Sequence, residues 1–180
     1  MNDMFRHIVL IGTIGRVGTI ANSADSAYYT VSSQKKAMDA IEILKEKLVG
    51  NYYSRFSAGD TFDLYFDRFW LIAQNVISSD EKQLNDLLCA KYQPANEAID
   101  KEDIAKTVII GSTLMKNITG VSLGSDSTLE LVFENGVTLQ FPTNTEIVDW
   151  HWAINEKGNS PYESFIVGCF SPGEVQVASC

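Results

Sequence analysis

Two stretches of the chain, residues 60–67 and 128–134, alternate between apolar and polar positions, which is the pattern of a β-strand with one buried face. The positions expected to be buried are Phe62, Leu64, Phe66, Leu129, Leu131 and Phe133. Asn135-Gly136 follows the second stretch and favours a two-residue hairpin turn in which both residues have positive φ. We expect an apolar return strand after this turn, which Pro142 stops because proline cannot donate to the sheet.

A helix is predicted over residues 34–48, because apolar residues recur there at intervals of three and four positions. Gly50 follows the last of them and would end the helix. A shorter helix is expected to open at Ser79, and residues 100–110 start with helical spacing but become strand-like at Val108. Further strands are predicted at residues 8–11, 27–31, 69–76, 147–154 and 165–170.

The two alternating stretches also resemble each other, since residues 61–67 and 128–134 match in class at every position. This similarity predicts an internal duplication. The sequence therefore indicates an α+β fold of two related β-rich halves, built from antiparallel sheets with hairpins and each flanked by one or two helices. Pro94 marks the best linker. We expect residues 1–93 and residues 94–180 to form two subdomains that pack as one compact unit.

The outward faces of the two alternating strands carry carboxylates beside an aromatic or an aliphatic side chain. They are Asp63, Tyr65 and Asp67 in the first strand and Glu130, Val132 and Glu134 in the second. A strip that mixes charged and apolar side chains in this way suits a protein interface better than it suits bare solvent.

Acidic residues are concentrated toward the end of the chain. The formal net charge is −9, and the segment from Val121 to Cys180 carries eight acidic residues against one lysine, which gives −7 there and −2 for the rest. Such a segment repels phosphate backbones, which argues against direct nucleic-acid binding. It would instead attract and orient a basic protein. The simpler explanation is a solvated acidic surface that keeps the protein soluble.

No motif of the sequence identifies an enzyme. The glycine-rich run from Gly12 to Gly18 lacks the spacing of a dinucleotide-binding loop, and no phosphate-binding loop or GxSxG motif occurs. Two histidines and three scattered cysteines give no pattern for a metal or another cofactor. His151 lies between two tryptophans, and in a strand we expect it on the surface, on the same face as Asp149, while both tryptophans point the other way and fill a core.

The cysteines at positions 89, 169 and 180 are odd in number and widely spaced, which is typical of a reducing compartment. The apolar run at residues 8–11 is too short to span a bilayer. We therefore expect a cytoplasmic protein that does not enter the membrane.

The second half resembles small bacterial immunity proteins that accompany polymorphic or contact-dependent inhibition toxins. In that family a hairpin of the pattern L-x-L-x-F-E-x-G-x-x-L is followed by a Trp-rich strand. Here the hairpin runs from Leu129 to Leu139, and a Trp-rich segment follows at residues 150–152. The first alternating stretch departs from this pattern, because Arg68-Phe69 stands in place of the Asn-Gly turn. The turn after the first alternating stretch must therefore differ from the turn at Asn135-Gly136.

The resemblance implies a non-enzymatic protein that binds a cognate toxin domain tightly and occludes the toxin's active site. Many such toxins are nucleases and therefore basic, so the acidic second half would imitate the phosphates of the toxin's substrate. Its carboxylates would pair with basic residues of the toxin, and Tyr65 would anchor the contact. The candidate partner-binding residues are Tyr65, His151 and the carboxylates Asp63, Asp67, Glu130, Glu134, Glu146 and Asp149.

Two other functions stay open on the residues alone. An enzymatic or small-molecule-binding α+β domain would show a deep apolar cavity with convergent polar groups. A scaffold or oligomerisation module would show a large, symmetric and apolar interface with a second copy of the chain.

Overall fold

A computed structural model describes residues 39–91, 101–144, 149–158, 160–171 and 174–178 of the 180-residue chain. Within these residues there are two antiparallel sheets, of six and three strands, and three helices. The prediction of an α+β fold is therefore confirmed. The strands predicted at residues 8–11 and 27–31 and the linker at Pro94 lie outside the described residues.

The elements are short and have the following bounds. The helices are α1 (residues 39–48), α2 (Glu81–Lys91) and α3 (Lys101–Thr113). The larger sheet consists of β1 (Arg55–Ala58), β2 (Phe62–Tyr65), β3 (Trp70–Ala73), β7 (Trp152–Asn155), β8 (Phe165–Ser171) and β9 (Glu174–Val177). The smaller sheet consists of β4 (Ile118–Leu123), β5 (Leu129–Phe133) and β6 (Thr138–Phe141).

Most of the elements predicted from periodicity are present, and the differences have local causes. Helix α3 continues through the residues that were expected to be strand-like. Ile109 and Ile110 are buried there while Val108 is exposed, so burial of one helical face outweighs the β propensity of these side chains. The periodicity does not predict β1, which exposes most of its residues, or β4, where a bulge near Gly120 interrupts the alternation. It also misses β9.

The two hairpins that follow the alternating strands turn in different ways. The prediction of a two-residue Asn-Gly turn is wrong, because Glu134, Asn135 and Gly136 form a three-residue loop. A hydrogen bond from the Phe133 N–H to the Val137 carbonyl closes it at 2.9 Å. Of the three loop residues only Gly136 has a positive φ, +83°, which is the pattern of a type I turn followed by a left-handed glycine. The hairpin between β2 and β3 has a shorter loop of two residues.

The larger sheet is assembled from two distant parts of the chain. Its strand order is β1-β2-β3-β7-β8-β9, with all pairs antiparallel, so β3 pairs with β7 across residues 74–151. The Gln74 N–H donates to the His151 carbonyl at 2.9 Å, which brings the two ends of this insertion together. The insertion holds α2, α3 and the smaller sheet. The larger sheet therefore takes three strands from each side of residue 93, where the sequence places the boundary between the two halves.

The order of elements repeats along the chain. Helix α1 precedes the three-strand meander β1-β2-β3, and α3 precedes the meander β4-β5-β6. The two alternating strands, β2 and β5, are the central strands of these meanders. A duplication requires this order, while the duplication itself stays a prediction.

One apolar core holds the two sheets together. Strand alternation directs Leu64 and Leu71 of the larger sheet and Leu129, Leu131 and Phe133 of the smaller sheet into the same buried cluster. Apolar residues of α1 and α3 join this cluster. Burial of each large apolar side chain stabilises the fold by about 1.5–3 kcal/mol, so the shared core fixes how the sheets lie against each other.

Trp152 connects the two sheets directly. Its indole is fully buried in the shared core, and its Nε1 donates to the carbonyl of Ser127 in the β4–β5 turn at 2.9 Å. Ser127 has a φ of +69°, a conformation that costs a residue with a side chain about 1–2 kcal/mol. Trp150, in contrast, packs with Ile72 and Ala153 in a small cluster on the outer face of the larger sheet. Both tryptophans are therefore buried, as expected, but the expectation that they share one face is wrong, because regular strand geometry begins only at Trp152.

We predict that Trp152→Phe lowers the free energy of unfolding by about 1–3 kcal/mol, because the buried Ser127 carbonyl loses the indole donor. Trp150→Phe is the matched control, since it removes the same atoms from the outer cluster. Urea unfolding of the two variants measures the difference. Equal losses in both would show that the hydrogen bond to Ser127 is not what makes Trp152 important.

Candidate functional site

The smaller sheet carries negative charge without any basic residue. Residues 118–141 include Asp126, Glu130 and Glu134 but no lysine, arginine or histidine. Because the inner faces of its three strands lie in the core, alternation leaves the polar side chains of these strands on the outer face. The sheet and its turns therefore carry a formal charge of −3, with no basic side chain of their own to neutralise it.

Glu130 stands in the middle of this outer face and is held from both sides. Ser122 on β4 donates its hydroxyl to Glu130 Oε1 at 3.3 Å, and Gln140 on β6 donates its amide to Glu130 Oε2 at 2.7 Å. Both donors are neutral. These donors fix the direction of the carboxylate without placing a positive charge beside it, so a basic partner group can bind it at a low entropic cost.

Glu134 and Asp126 are held in the same way at the two ends of β5. The Asn117 amide donates to Glu134 Oε2 at 3.0 Å. The backbone N–H and the hydroxyl of Thr128 donate to Asp126 at 3.0 and 2.9 Å, and these hydrogen bonds lower the pKa of Asp126 below its ordinary value. Asp126 is therefore ionised at neutral pH.

A polar cavity of about 420 Å³ lies beside Asp126 and Glu130. Its volume falls in the range of roughly 300–1,000 Å³ that is common for small-ligand pockets. The polar groups of its lining are the carboxylates Asp126 and Glu130 and the neutral side chains Ser122, Thr128, Gln140 and Asn144. This chemistry suits the end of a lysine or arginine side chain.

A further exposed carboxylate, Glu174, lies at the start of β9. Burial raises the pKa of the Cys169 thiol to about 11, and the charges of Asp126 and Glu174 add to this shift. Both carboxylates therefore act on the same buried thiol. We call Glu134, Glu130, Asp126 and Glu174 the acidic strip. Glu130 lies on β5, and Glu134 is the first residue of the loop that follows this strand.

The sequence interpretation did not include Asp126 and Glu174 in the candidate set. Neither residue lies in an alternating strand, so periodicity gives no reason to select them. The usable signal is one of composition, because no lysine or arginine occurs in residues 117–156, which include Asp126, or in residues 158–180, which include Glu174. A long run without basic residues indicates that its carboxylates lack partners nearby in sequence.

The structure does not bring the other predicted row, Asp63, Tyr65 and Asp67, into the acidic strip. This row lies on β2 of the larger sheet and in the loop after it, whereas Glu130 lies on β5 of the smaller sheet and Glu134 begins the loop after β5. Asp63 is half-buried, which raises its pKa, although a hydrogen bond from Thr61 at 3.1 Å works in the opposite direction. Because its carboxylate is half-buried, Asp63 is a weaker site for a basic partner than the acidic strip.

Tyr65 is already engaged within the protein. Its ring lies against Trp70 with centroids 4.8 Å apart, and the Arg55 guanidinium lies 4.3 Å above it. Its hydroxyl donates to the Asp67 carbonyl. The outer face of the larger sheet therefore combines an aromatic stack with a basic residue, which distinguishes it from the smaller sheet.

The remaining candidates lie near the end of the insertion. Desolvation raises the pKa of Tyr162 to about 12, and a hydrogen bond from its hydroxyl to the exposed carboxylate of Asp149 adds to this shift. Glu146 lies outside the described residues. The prediction that His151 is on the surface is wrong, since only 1% of it is exposed. Its backbone N–H donates to the Cys169 carbonyl at 2.8 Å, so it continues the ladder between β7 and β8 inside the fold.

A second cavity, of about 290 Å³, lies between α2 and α3 and is lined mainly by apolar residues such as Leu84 and Leu87. None of the candidate residues lines this second cavity.

In the part of the chain that the structure describes, no group of three or more His, Cys, Asp or Glu side chains is arranged to hold a metal ion. Within the same residues, no helix is both long and apolar enough to cross a membrane.

We predict that the free energy of unfolding falls as the pH drops below about 6.5, the ordinary pKa of histidine. Burial lowers the pKa of His151 in the folded protein, so the unfolded chain takes up a proton first and gains stability relative to the native state. The contribution of His151 is complete above pH 6.5 and is lost as the pH falls through the lowered pKa. Urea unfolding at a series of pH values measures this slope, and His151→Gln should flatten it. A slope that is the same in both proteins would disprove the assignment to His151.

Comparisons of the chain with protein-family models, with curated proteins and with solved structures found no match.

Proposed function

We propose that the chain is an immunity protein that binds a basic bacterial toxin domain, a nuclease, and occludes its active site with the acidic strip. The observation that carries this proposal is the composition and geometry of the smaller sheet. Its carboxylates are oriented by neutral donors, and no basic residue within the sheet neutralises them. It also rests on the resemblance of the hairpin from Leu129 to Leu139 to that of small immunity proteins.

The electrostatics of the strip fit this task. Carboxylates held on a sheet present their charge without losing side-chain entropy on binding, because Ser122, Gln140 and Asn117 already restrict them. A concentrated field of one sign raises the association rate of an oppositely charged partner by roughly 10- to 1,000-fold. A nuclease active site is built to bind phosphates, so a row of fixed carboxylates can occupy the same basic groups.

The cavity beside Asp126 and Glu130 gives the strip a place where one basic side chain of the toxin can insert. Two carboxylates would then face the same cation, and Gln140 and Asn144 would supply further acceptors. The outer face of the larger sheet is a poorer docking surface for a basic protein, since Arg55 already covers Tyr65. We accordingly place the contact on the smaller sheet.

The proposal includes a cytoplasmic location, where an immunity protein meets the toxin that it neutralises. The buried thiol of Cys169 is compatible with the reducing conditions of that compartment. The alternative of a small-molecule-binding or enzymatic domain would assign the polar cavity to a free ligand. A purified chain that binds no basic protein would favour that alternative.

We predict that Glu130→Gln/Glu134→Gln weakens binding to the toxin domain encoded beside this chain's gene by about tenfold or more at low salt, mainly through slower association. Binding kinetics at two salt concentrations and growth protection in cells that express the toxin measure the effect. The difference between the variant and the unmodified protein should shrink at high salt.

The matched control is Glu42→Gln/Glu46→Gln on α1. These residues are exposed and four positions apart, so the control removes the same charge at the same sequence spacing. Equal weakening in both double variants would mean that net charge alone, and not the acidic strip, drives binding. A neighbouring gene product that is harmless and does not bind the chain would overturn the immunity function itself.

A further inference from the structure

The tip of the β5–β6 hairpin holds the sequence Asn135-Gly136, which is the one Asn-Gly pair in the 180 residues. An asparagine amide is chemically labile when the next residue is glycine, because no side chain hinders attack of the glycine nitrogen on the amide carbon. Apart from Gly136 itself and its two chain neighbours, no residue has an atom within 4 Å of the position where a Gly136 side chain would begin, and Asn135 is exposed. Water therefore reaches this dipeptide freely.

The Asn135 amide connects the hairpin tip to helix α3. Its Nδ2 donates to the carbonyl of Ser112, in the last turn of α3, at 3.0 Å. Its Oδ1 accepts from the N–H of Val137 at 3.3 Å, within the turn itself. The side chain thus acts as a clamp that needs a donor on one side and an acceptor on the other, and only the amide supplies both.

The closed turn also restrains the nitrogen that would attack this amide. The Gly136 N–H donates to the Phe133 carbonyl at 2.9 Å. Attack requires the Gly136 nitrogen to leave this hydrogen bond and approach Asn135 Cγ, while Asn135 leaves its contact with Ser112. Both bonds are at the exposed end of a hairpin, where local opening is energetically less costly than global unfolding.

We propose that Asn135 is a deamidation site whose reaction is limited by opening of the hairpin tip and whose product releases the tip from α3. The Gly136 nitrogen loses its proton and forms a bond to Asn135 Cγ, the Cγ–Nδ2 bond breaks, and ammonia leaves. Water then opens the resulting cyclic imide to aspartate or isoaspartate. The reaction needs no other reactant and involves no change of oxidation state.

The product differs from asparagine in two ways that bear on the structure. A carboxylate has no hydrogen to donate, so it faces the Ser112 carbonyl as a second acceptor and the clamp is lost. It also adds a negative charge next to Glu134 in sequence. The first consequence stands on the geometry alone. The second rests on the proposed function, since the added charge lies beside the acidic strip and would speed association with a basic toxin domain.

Peptide mass mapping of the full chain during incubation in mildly alkaline buffer tests the reaction. We expect conversion at Asn135 to exceed conversion at Asn159, which precedes Ser160, and at Asn22, which precedes Ser23. The native chain should convert at Asn135 about tenfold or more slowly than the urea-unfolded chain, because the turn must open first. Gly136→Ala should slow the reaction in the unfolded chain. Absence of conversion in the unfolded chain would overturn the site, and equal rates in both states would overturn the gating.

Thermal unfolding of Asn135→Asp tests the clamp without the chemistry. We expect a lower midpoint than in the unmodified protein, whereas Asn159→Asp, which makes the same charge change, serves as the control. A midpoint unchanged by Asn135→Asp, or lowered equally by both variants, would show that the amide does not hold the tip. Neither result depends on the toxin, so failure here is distinguishable from failure of the proposed function.

Discussion

The burial of the inner faces of both sheets in one core is the interaction on which the rest of the structure depends. The larger sheet is complete only when β3 meets β7, and the residues between them fold into α2, α3 and the smaller sheet. Trp152 then ties the sheets together, since its ring lies in the shared core and its Nε1 reaches the Ser127 carbonyl. Among the described residues, one face of the smaller sheet lies in this core, and the packing fixes the orientation of its opposite face.

The burial of the inner face of the smaller sheet also determines the face on which its carboxylates lie. Because Leu129, Leu131 and Phe133 point into the core, Glu130 points away from it on the outer face. A surface of this kind usually mixes both signs of charge, but residues 118–141 contain no basic side chain. Neutral side chains, rather than basic ones, donate hydrogen bonds to the carboxylates. The result is a rigid negative surface whose charge is available to a partner, and the proposed function is built on this feature.

The sequence predicts those parts of the fold that depend on neighbouring residues. Alternation gives β2 and β5, and helical spacing gives α1 over its described part. Parts that depend on distant contacts are not predicted. The pairing of β3 with β7 joins residues about 80 positions apart, as in the partners Ala73 and Trp152, and no local pattern encodes it. His151 is buried because its backbone continues that long-range ladder, which explains why a local argument places it wrongly on the surface.

The same distinction between features set by neighbouring residues and features set by distant contacts applies to the candidate site. The sequence identifies Glu130 and Glu134, because strand alternation places them outward, but it does not separate them from Asp63 and Asp67 on the other sheet. Only the packing of the sheets shows that the two rows lie on different surfaces. The most direct measurement of the central claim is hydrogen exchange of the full chain with and without the proposed partner, a basic toxin domain encoded by a neighbouring gene. The account predicts slower exchange in residues 117–141 on binding, with β1 and β2 unaffected. Protection confined to β1 and β2, with exchange in residues 117–141 unchanged, would contradict it.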